Sequence, residues 1–151
     1  VRLTSASPEE TEAIGLRLGR LLKQGASVGL YGDLGTGKTT MVRGIASAFG
    51  IDRRDVTSAS FTIIAEYPGR CPFFHIDLYR IEKEADLDAT GIWDCLGRDG
   101  ICVIEWAERL GKEPAGGMVR VELADRGDDL REISIEGIDE KDWNNLQDGQ
   151  A

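Results

Sequence analysis

Apolar residues recur along the chain in three rhythms, and each change of rhythm marks an element. Val28-Gly-Leu-Tyr31 is a short apolar run, which predicts a buried strand, and Met41, Val42, Ile45, Ala46 and Phe49 follow at the three-to-four spacing of a helix face. Upstream, Ser7-Pro8-Glu9-Glu10 reads as a capping box with proline at the first helical position. The helix it opens places Thr11, Ile14, Leu18, Leu21 and Leu22 on one side and ends at Gly25. Beyond the second helix, Phe61 to Glu66 and Phe73 to Leu78 read as strands around a Pro68-Gly69 turn, a candidate hairpin. Ile81 to Leu96 predicts a helix with Glu82, Glu84, Asp86 and Asp88 near its start, placed so that Gly91 can break it. Ile101-Cys-Val-Ile-Glu105 is again a continuous apolar strand, this time ending in an acid. Met118 to Leu123 and Leu130 to Ile135 alternate apolar and polar around Asp125 to Asp129, as a closing hairpin does.

The chemistry begins in the turn between the first buried strand and its helix. Gly32-Asp-Leu-Gly-Thr-Gly-Lys-Thr39 is G-x-x-x-x-G-K-[ST], the phosphate loop of P-loop NTPases. Gly32, Gly35 and Gly37 let the backbone take positive φ and approach an anion. The loop amides then converge on phosphate at the positive end of a helix. This reading assigns nucleotide, ATP or ADP, to Leu34, Gly35, Thr36, Gly37, Lys38, Thr39 and Thr40, with Lys38 on the β- and γ-phosphates and the Thr39 hydroxyl on Mg²⁺. The acid at the end of the second buried strand, Glu105, is the natural second ligand for that ion. The fold class that follows is α/β: a three-layer α/β/α sandwich of the P-loop NTPase kind, with a mainly parallel central sheet and antiparallel hairpin additions. One domain spans residues 1–136, and residues 137–151 form an acidic segment with a single aromatic, Trp143, expected to be a weakly ordered tail or a short docking helix.

In Phe73-Phe-His-Ile-Asp-Leu-Tyr-Arg80, strand alternation puts His75, Asp77 and Tyr79 on one face. Asp77 suits the orientation of water or the outer shell of magnesium, and equally a structural ion pair. His75 reads first as a structural histidine. Arg80 is the nearby candidate for an arginine finger, and the hydroxyl-rich stretch Val56 to Thr62 sits where many NTPases sense the γ-phosphate. The start of the first helix, with Thr11, lies near the bound base by analogy alone.

Charge narrows the partners. A net charge of -9 argues against a chain that binds nucleic acid by itself, so any nucleic-acid work would borrow another protein's surface. Cys71, Cys95 and Cys102 are odd in number and form no C-x-x-C pair, which with one histidine argues against a zinc site and for reduced thiols of the cytosol. No apolar run approaches a membrane span, so a cytoplasmic protein is expected, with no membrane and no DNA among its partners.

Taken together, GDLGTGKTT, HIDLYR and VIEW, in this order and in a chain this short, resemble the TsaE family, over about Pro8 to Leu123. The resemblance implies an ATPase needed to make threonylcarbamoyladenosine at position 37 of tRNAs that read codons beginning with A. It implies Mg²⁺ on Thr39 and Glu105, an essential aspartate at Asp77, and a functional tryptophan at Trp106. It also implies partners: a TsaD-like threonylcarbamoyl transferase and a TsaB-like subunit, with hydrolysis resetting their complex between turnovers and tRNA met only through it. One departure stands out, since Ser58-Ala59-Ser60-Phe61 replaces the usual Ser-Pro-Thr-Phe. Ser60 keeps the hydroxyl, and loss of the proline frees the backbone at Ala59. Two other functions compete: a small-molecule kinase, against which the 18 scattered Lys and Arg form no arginine-rich lid, and a nucleotide sensor that does not hydrolyse.

Overall fold

The computed structural model describes residues 1–33, 35–57, 63–96, 99–111, 114 and 117–149. Among them a seven-stranded sheet forms the middle layer, in the order β1-β7-β6-β2-β5-β4-β3. The strands are β1 (Arg2–Ser5), β2 (Ser27–Tyr31), β3 (Ile64–Tyr67), β4 (Phe73–Asp77), β5 (Ile101–Glu105), β6 (Val119–Asp125) and β7 (Arg131–Glu136). The central four, β6, β2, β5 and β4, run parallel, while β7 with β1 on one side and β3 on the other are antiparallel additions. The two continuous apolar runs, β2 and β5, lie side by side in the middle because only there are both faces of a strand covered.

Helices α1 (Pro8–Gly19) and α2 (Lys38–Ser47) cover one face, where Leu18, Met41 and Ile45 pack with Val28, Leu30 and Val103. The other face is covered by α3 (Glu84–Asp88), α4 (Ile92–Cys95) and a 3₁₀ turn at Ala107–Leu110, through Leu87, Ile92 and Leu110 against Ile76 and Ile104. This is the expected α/β architecture. The capping box is also present, with one change of partner. Ser7 Oγ accepts from the Glu10 N–H at 3.1 Å, while the Glu10 carboxylate reaches back to the N–H of Ala6.

The expected stripe faces the core, with Thr11 and Leu18 buried and Ile14, Leu21 and Leu22 partly buried against it, and Gly15 and Gly19 are buried beside them. The reason is the proximity of α2. A Cβ on Gly15 would stand 2.5 Å from Met41 O, and one on Gly44 only 2.1 Å from Glu12 O. The helices therefore touch through backbone, with no space for a methyl group. Gly44→Ala is expected to destabilise the chain by roughly 1–3 kcal/mol, as overpacking does, read as a lower urea midpoint with an unchanged slope.

The region from Ile81 to Leu96 is divided at Gly91 as its position allowed, since Gly91 takes φ +85° and caps α4. Two departures have local causes. The first strand of the hairpin is displaced toward the turn, at Ile64–Tyr67, and Phe61 and Thr62 lie outside the described residues. The segment after Gly137 carries helix α5 (Glu140–Gly149), the docking-helix alternative rather than a featureless tail. Trp143 explains it: the indole is 2% exposed, the Arg17 guanidinium lies 3.8 Å from its ring centroid, and Arg17 Nη2 donates to Trp143 O at 2.7 Å. Cys102 is packed in β5 as expected, donating to Cys95 O at 3.1 Å, and burial pushes its thiol up to about 12. No described helix is long and apolar enough to cross a membrane.

Candidate functional site

The glycine loop leaves β2 at the carboxyl edge of the parallel strands and turns directly into α2. Gly32 takes φ +150°, and a Cβ there would stand 2.5 Å from Leu123 O and 2.9 Å from Thr36 Oγ1, so the loop's entry has room only for glycine. Gly37, at φ +100°, is the N-cap of α2, which has no side-chain cap and no acidic residue in its first turn. The positive end of α2 is thereby left without a carboxylate of its own, an arrangement that favours an anion from outside. Thr36 braces the turn by donating from Oγ1 to Asp33 O at 2.9 Å. Arg131 of β7 holds the loop from behind, its guanidinium donating to Thr36 O at 3.2 Å and Gly35 O at 3.3 Å.

Lys38 is folded back onto the loop. Its Nζ donates to Gly32 O at 2.5 Å and Asp33 O at 2.8 Å and lies 4.1 Å from the Trp106 ring centroid. Only 5% of the residue is exposed, and this burial lowers its pKa below the ordinary lysine value, while Glu108, Glu105, Asp77 and Asp33 pull the other way. Glu108, in the 3₁₀ turn after β5, also accepts from the Gly32 N–H at 3.0 Å. Nothing in its local spacing marks that contact.

The acids arrive from the neighbouring strands. β4 and β5 are parallel and in register, with Asp77 beside Glu105, and both carboxylates are at least nine-tenths buried, at 4% and 3% exposure. Thr39 Oγ1 lies 3.0 Å from each oxygen of Glu105. His75, two residues before Asp77 on the same face, is fully buried with Nε2 2.5 Å from Glu105 Oε2. Asp77 Oδ1 accepts from the Tyr79 N–H at 2.9 Å, which turns the chain out of the strand. That turn corrects the alternation expected of Tyr79: it leaves the sheet, is 43% exposed, and sets its ring 5.2 Å from that of Trp106. Trp106 takes a left-handed φ of 58°, which ends β5 and swings the indole over Lys38.

Thr11 is 2% exposed, and its hydroxyl lies 2.7 Å from that of Ser5 in β1. It lines a cavity of about 190 Å³ beside the loop with Gly35, Gly37, Thr40, Asp129 and Arg131. The structure thus gathers Thr11, Gly35, Thr36, Gly37, Lys38, Thr39, Thr40, His75, Asp77, Glu105 and Trp106 at one edge of the sheet. Arg80 is exposed in the turn after β4. Leu34 and Ser60 lie outside the described residues, as does the rest of 58–62. The donors facing one another at Thr39 and Glu105 are a hydroxyl and a carboxylate, the hard oxygen set that suits Mg²⁺.

Comparison with known proteins identifies a family and its relatives. The family model described as threonylcarbamoyl adenosine biosynthesis protein TsaE matches residues 5–133. A tRNA threonylcarbamoyladenosine biosynthesis protein TsaE from Treponema pallidum (strain Nichols) is 38% identical over 135 residues, covering 89% of this chain and 99% of that one. Its counterpart from Bacillus subtilis (strain 168) is 37% identical over 135 residues, covering 89% and 84%. The crystal structure of Bacillus subtilis YdiB superposes with a TM-score of 0.72 at 32% identity, over 98% of this chain and 91% of the other.

Proposed function

The chain belongs to the TsaE family, and from that premise we propose that it is the Mg²⁺-dependent ATPase subunit of tRNA threonylcarbamoyladenosine biosynthesis. In this reading it serves the modification of adenosine 37 in tRNAs that read ANN codons, acting on a complex of TsaD-like and TsaB-like proteins. One observation carries the enzymatic part: Lys38, Thr39, Asp77 and Glu105 meet at the mouth of the phosphate loop, although 66 residues separate Thr39 from Glu105. The presence of both Glu105 and Asp77, buried there, counts against a dead nucleotide site.

The loop amides and Lys38 hold the phosphates, and Lys38 places its charge where the transition state accumulates negative charge. To reach them its Nζ gives up Gly32 O and Asp33 O, so nucleotide and loop carbonyls compete for one ammonium group. Thr39 and Glu105 are the residues that would hold Mg²⁺, which would supply neutralisation of phosphate charge. Asp77 orients the attacking water. ATP hydrolysis by the chain alone should be slow, because two arginines near the site, Arg131 and Arg109, are engaged elsewhere. Arg131 ties loop carbonyls, and Arg109 donates to Ile81 O at 2.7 Å with its guanidinium 5.6 Å from the Trp106 ring centroid. Completion of the site by a partner fits that arrangement, and the net charge of -9 fits contact with tRNA through the complex.

Phosphate release from ATP, measured with and without the TsaB-like and TsaD-like proteins of the same source, is expected to rise at least about tenfold with the pair, since a charge supplied in trans can give far more. Tight ATP binding with no stimulation would overturn the ATPase reading in favour of a nucleotide sensor.

A further inference from the structure

We propose that His75 is a positioning residue for the magnesium site, acting through Glu105 and resting on the nucleotide-site reading above. His75 lies in the interior of the sheet, opposite Ala65 of β3 and Val103 of β5. Glu105 is the next residue of β5 on the same face, so the two side chains are diagonal neighbours, and both are long enough to meet. They do, at 2.5 Å between Nε2 and Oε2, with the histidine wholly buried and the glutamate 3% exposed. A carboxylate can only accept, so the proton of this contact belongs to Nε2.

The other ring nitrogen makes the case specific. Among the described residues Nδ1 is buried with no hydrogen-bond partner. An unpaired buried acceptor is a cost to the fold, and an apolar side chain of similar size would fill the space without it. The imidazole therefore contributes one thing that leucine cannot, the hydrogen bond to Glu105. That bond matters because a glutamate has a long side chain whose ordering costs rotamer entropy. His75 fixes it before any ion arrives, and holds it by Oε2, while the Thr39 hydroxyl lies 3.0 Å from both Oε1 and Oε2. Outer partners of this kind typically change metal affinity by about 10–100-fold.

The test uses the purified full-length chain and a fluorescent ADP analogue, titrated in EDTA and again across a Mg²⁺ series. His75→Leu is expected to leave affinity in EDTA within about twofold and to weaken the apparent Mg²⁺ affinity by about 10–100-fold. His75→Gln, whose amide nitrogen stands at similar reach, is expected to recover most of it. In a Glu105→Gln background His75→Leu should add no further loss, because its effect passes through that carboxylate. An equal loss with and without Mg²⁺, or a loss that persists in the Glu105→Gln background, would overturn the proposal in favour of packing. Thermal melting of each variant separates these results from unfolding. If His75→Leu does not fold, His75→Met takes its place as the variant without a donor: a loss of Mg²⁺ affinity of about 10–100-fold that His75→Gln restores supports the role, and wild-type Mg²⁺ affinity in a folded His75→Met defeats it. Wild-type protein that binds no nucleotide at all would instead defeat the nucleotide-site reading, a distinguishable failure.

Discussion

Lys38→Ala is expected to lower partner-stimulated ATP hydrolysis by roughly 10²–10³-fold, the size of effect seen when a preorganised charge is removed from a developing oxyanion. ATP affinity should fall as well, because the ammonium is the one described positive charge placed inside the loop. Stability should not fall with it. The lysine is almost wholly buried, and its two acceptors are carbonyls of a surface loop that water can solvate once the side chain is gone. Desolvation already lowers its pKa, so the folded chain holds this charge at some cost. Lys38→Arg should not rescue activity, since a planar guanidinium is bulkier than the ammonium lodged between Gly32, Asp33 and the Trp106 ring. The same burial sets a pH direction. A lysine is charged below its pKa, so a lowered value means the charge is lost at lower pH than in a free lysine. ATP affinity should accordingly decline earlier on the alkaline side than an exposed lysine would allow. Phosphate-release assays and calorimetric titration with ATP measure both effects, and hydrolysis within threefold of wild type in Lys38→Ala would remove Lys38 from the mechanism.

The parts of the site legible in the sequence are those built from contiguous chain. The phosphate loop needs its glycines, lysine and threonine at fixed spacing, and the acid of β5 needs only an apolar run before it. Both can be seen without knowing where the strands lie. Glu108 on Gly32 and Arg131 on Gly35 and Thr36 left no such trace, because each contact joins elements that the fold brings together from different parts of the chain. His75 is intermediate: its face was readable from strand alternation, but its tie to Glu105 depends on β4 lying beside β5 in that register. In the fold, glycine carries information that apolar periodicity does not. Gly15, Gly19 and Gly44 interrupt the apolar helix pattern, yet they mark where α1 and α2 touch through backbone, and Gly91 divides a helix as its position allowed. Tyr79 failed the alternation rule because Asp77 captures its N–H and ends the strand two residues before it.

That capture gives Asp77 two separable duties, and a pair of substitutions divides them. Asn keeps an oxygen to accept from the Tyr79 N–H but cannot take a proton or hold a negative charge; Ala removes both capacities. Asp77→Asn is therefore expected to fold with near-native stability, bind ATP at least as well as wild type because a carboxylate near the phosphates has gone, and lose roughly 10²–10⁴-fold in kcat, the range for a residue that handles the attacking water's proton. Asp77→Ala should show the same loss of kcat and in addition a stability deficit of about 1–3 kcal/mol, from the buried turn left without its acceptor. The measurements are partner-stimulated phosphate release, ATP affinity and urea unfolding on each variant. Full stimulated hydrolysis in Asp77→Asn, with a deficit only in the stability of Asp77→Ala, would make Asp77 the builder of the turn that carries Tyr79 onto Trp106. The water-positioning role would then have to move to Glu105 or to a side chain of the partner.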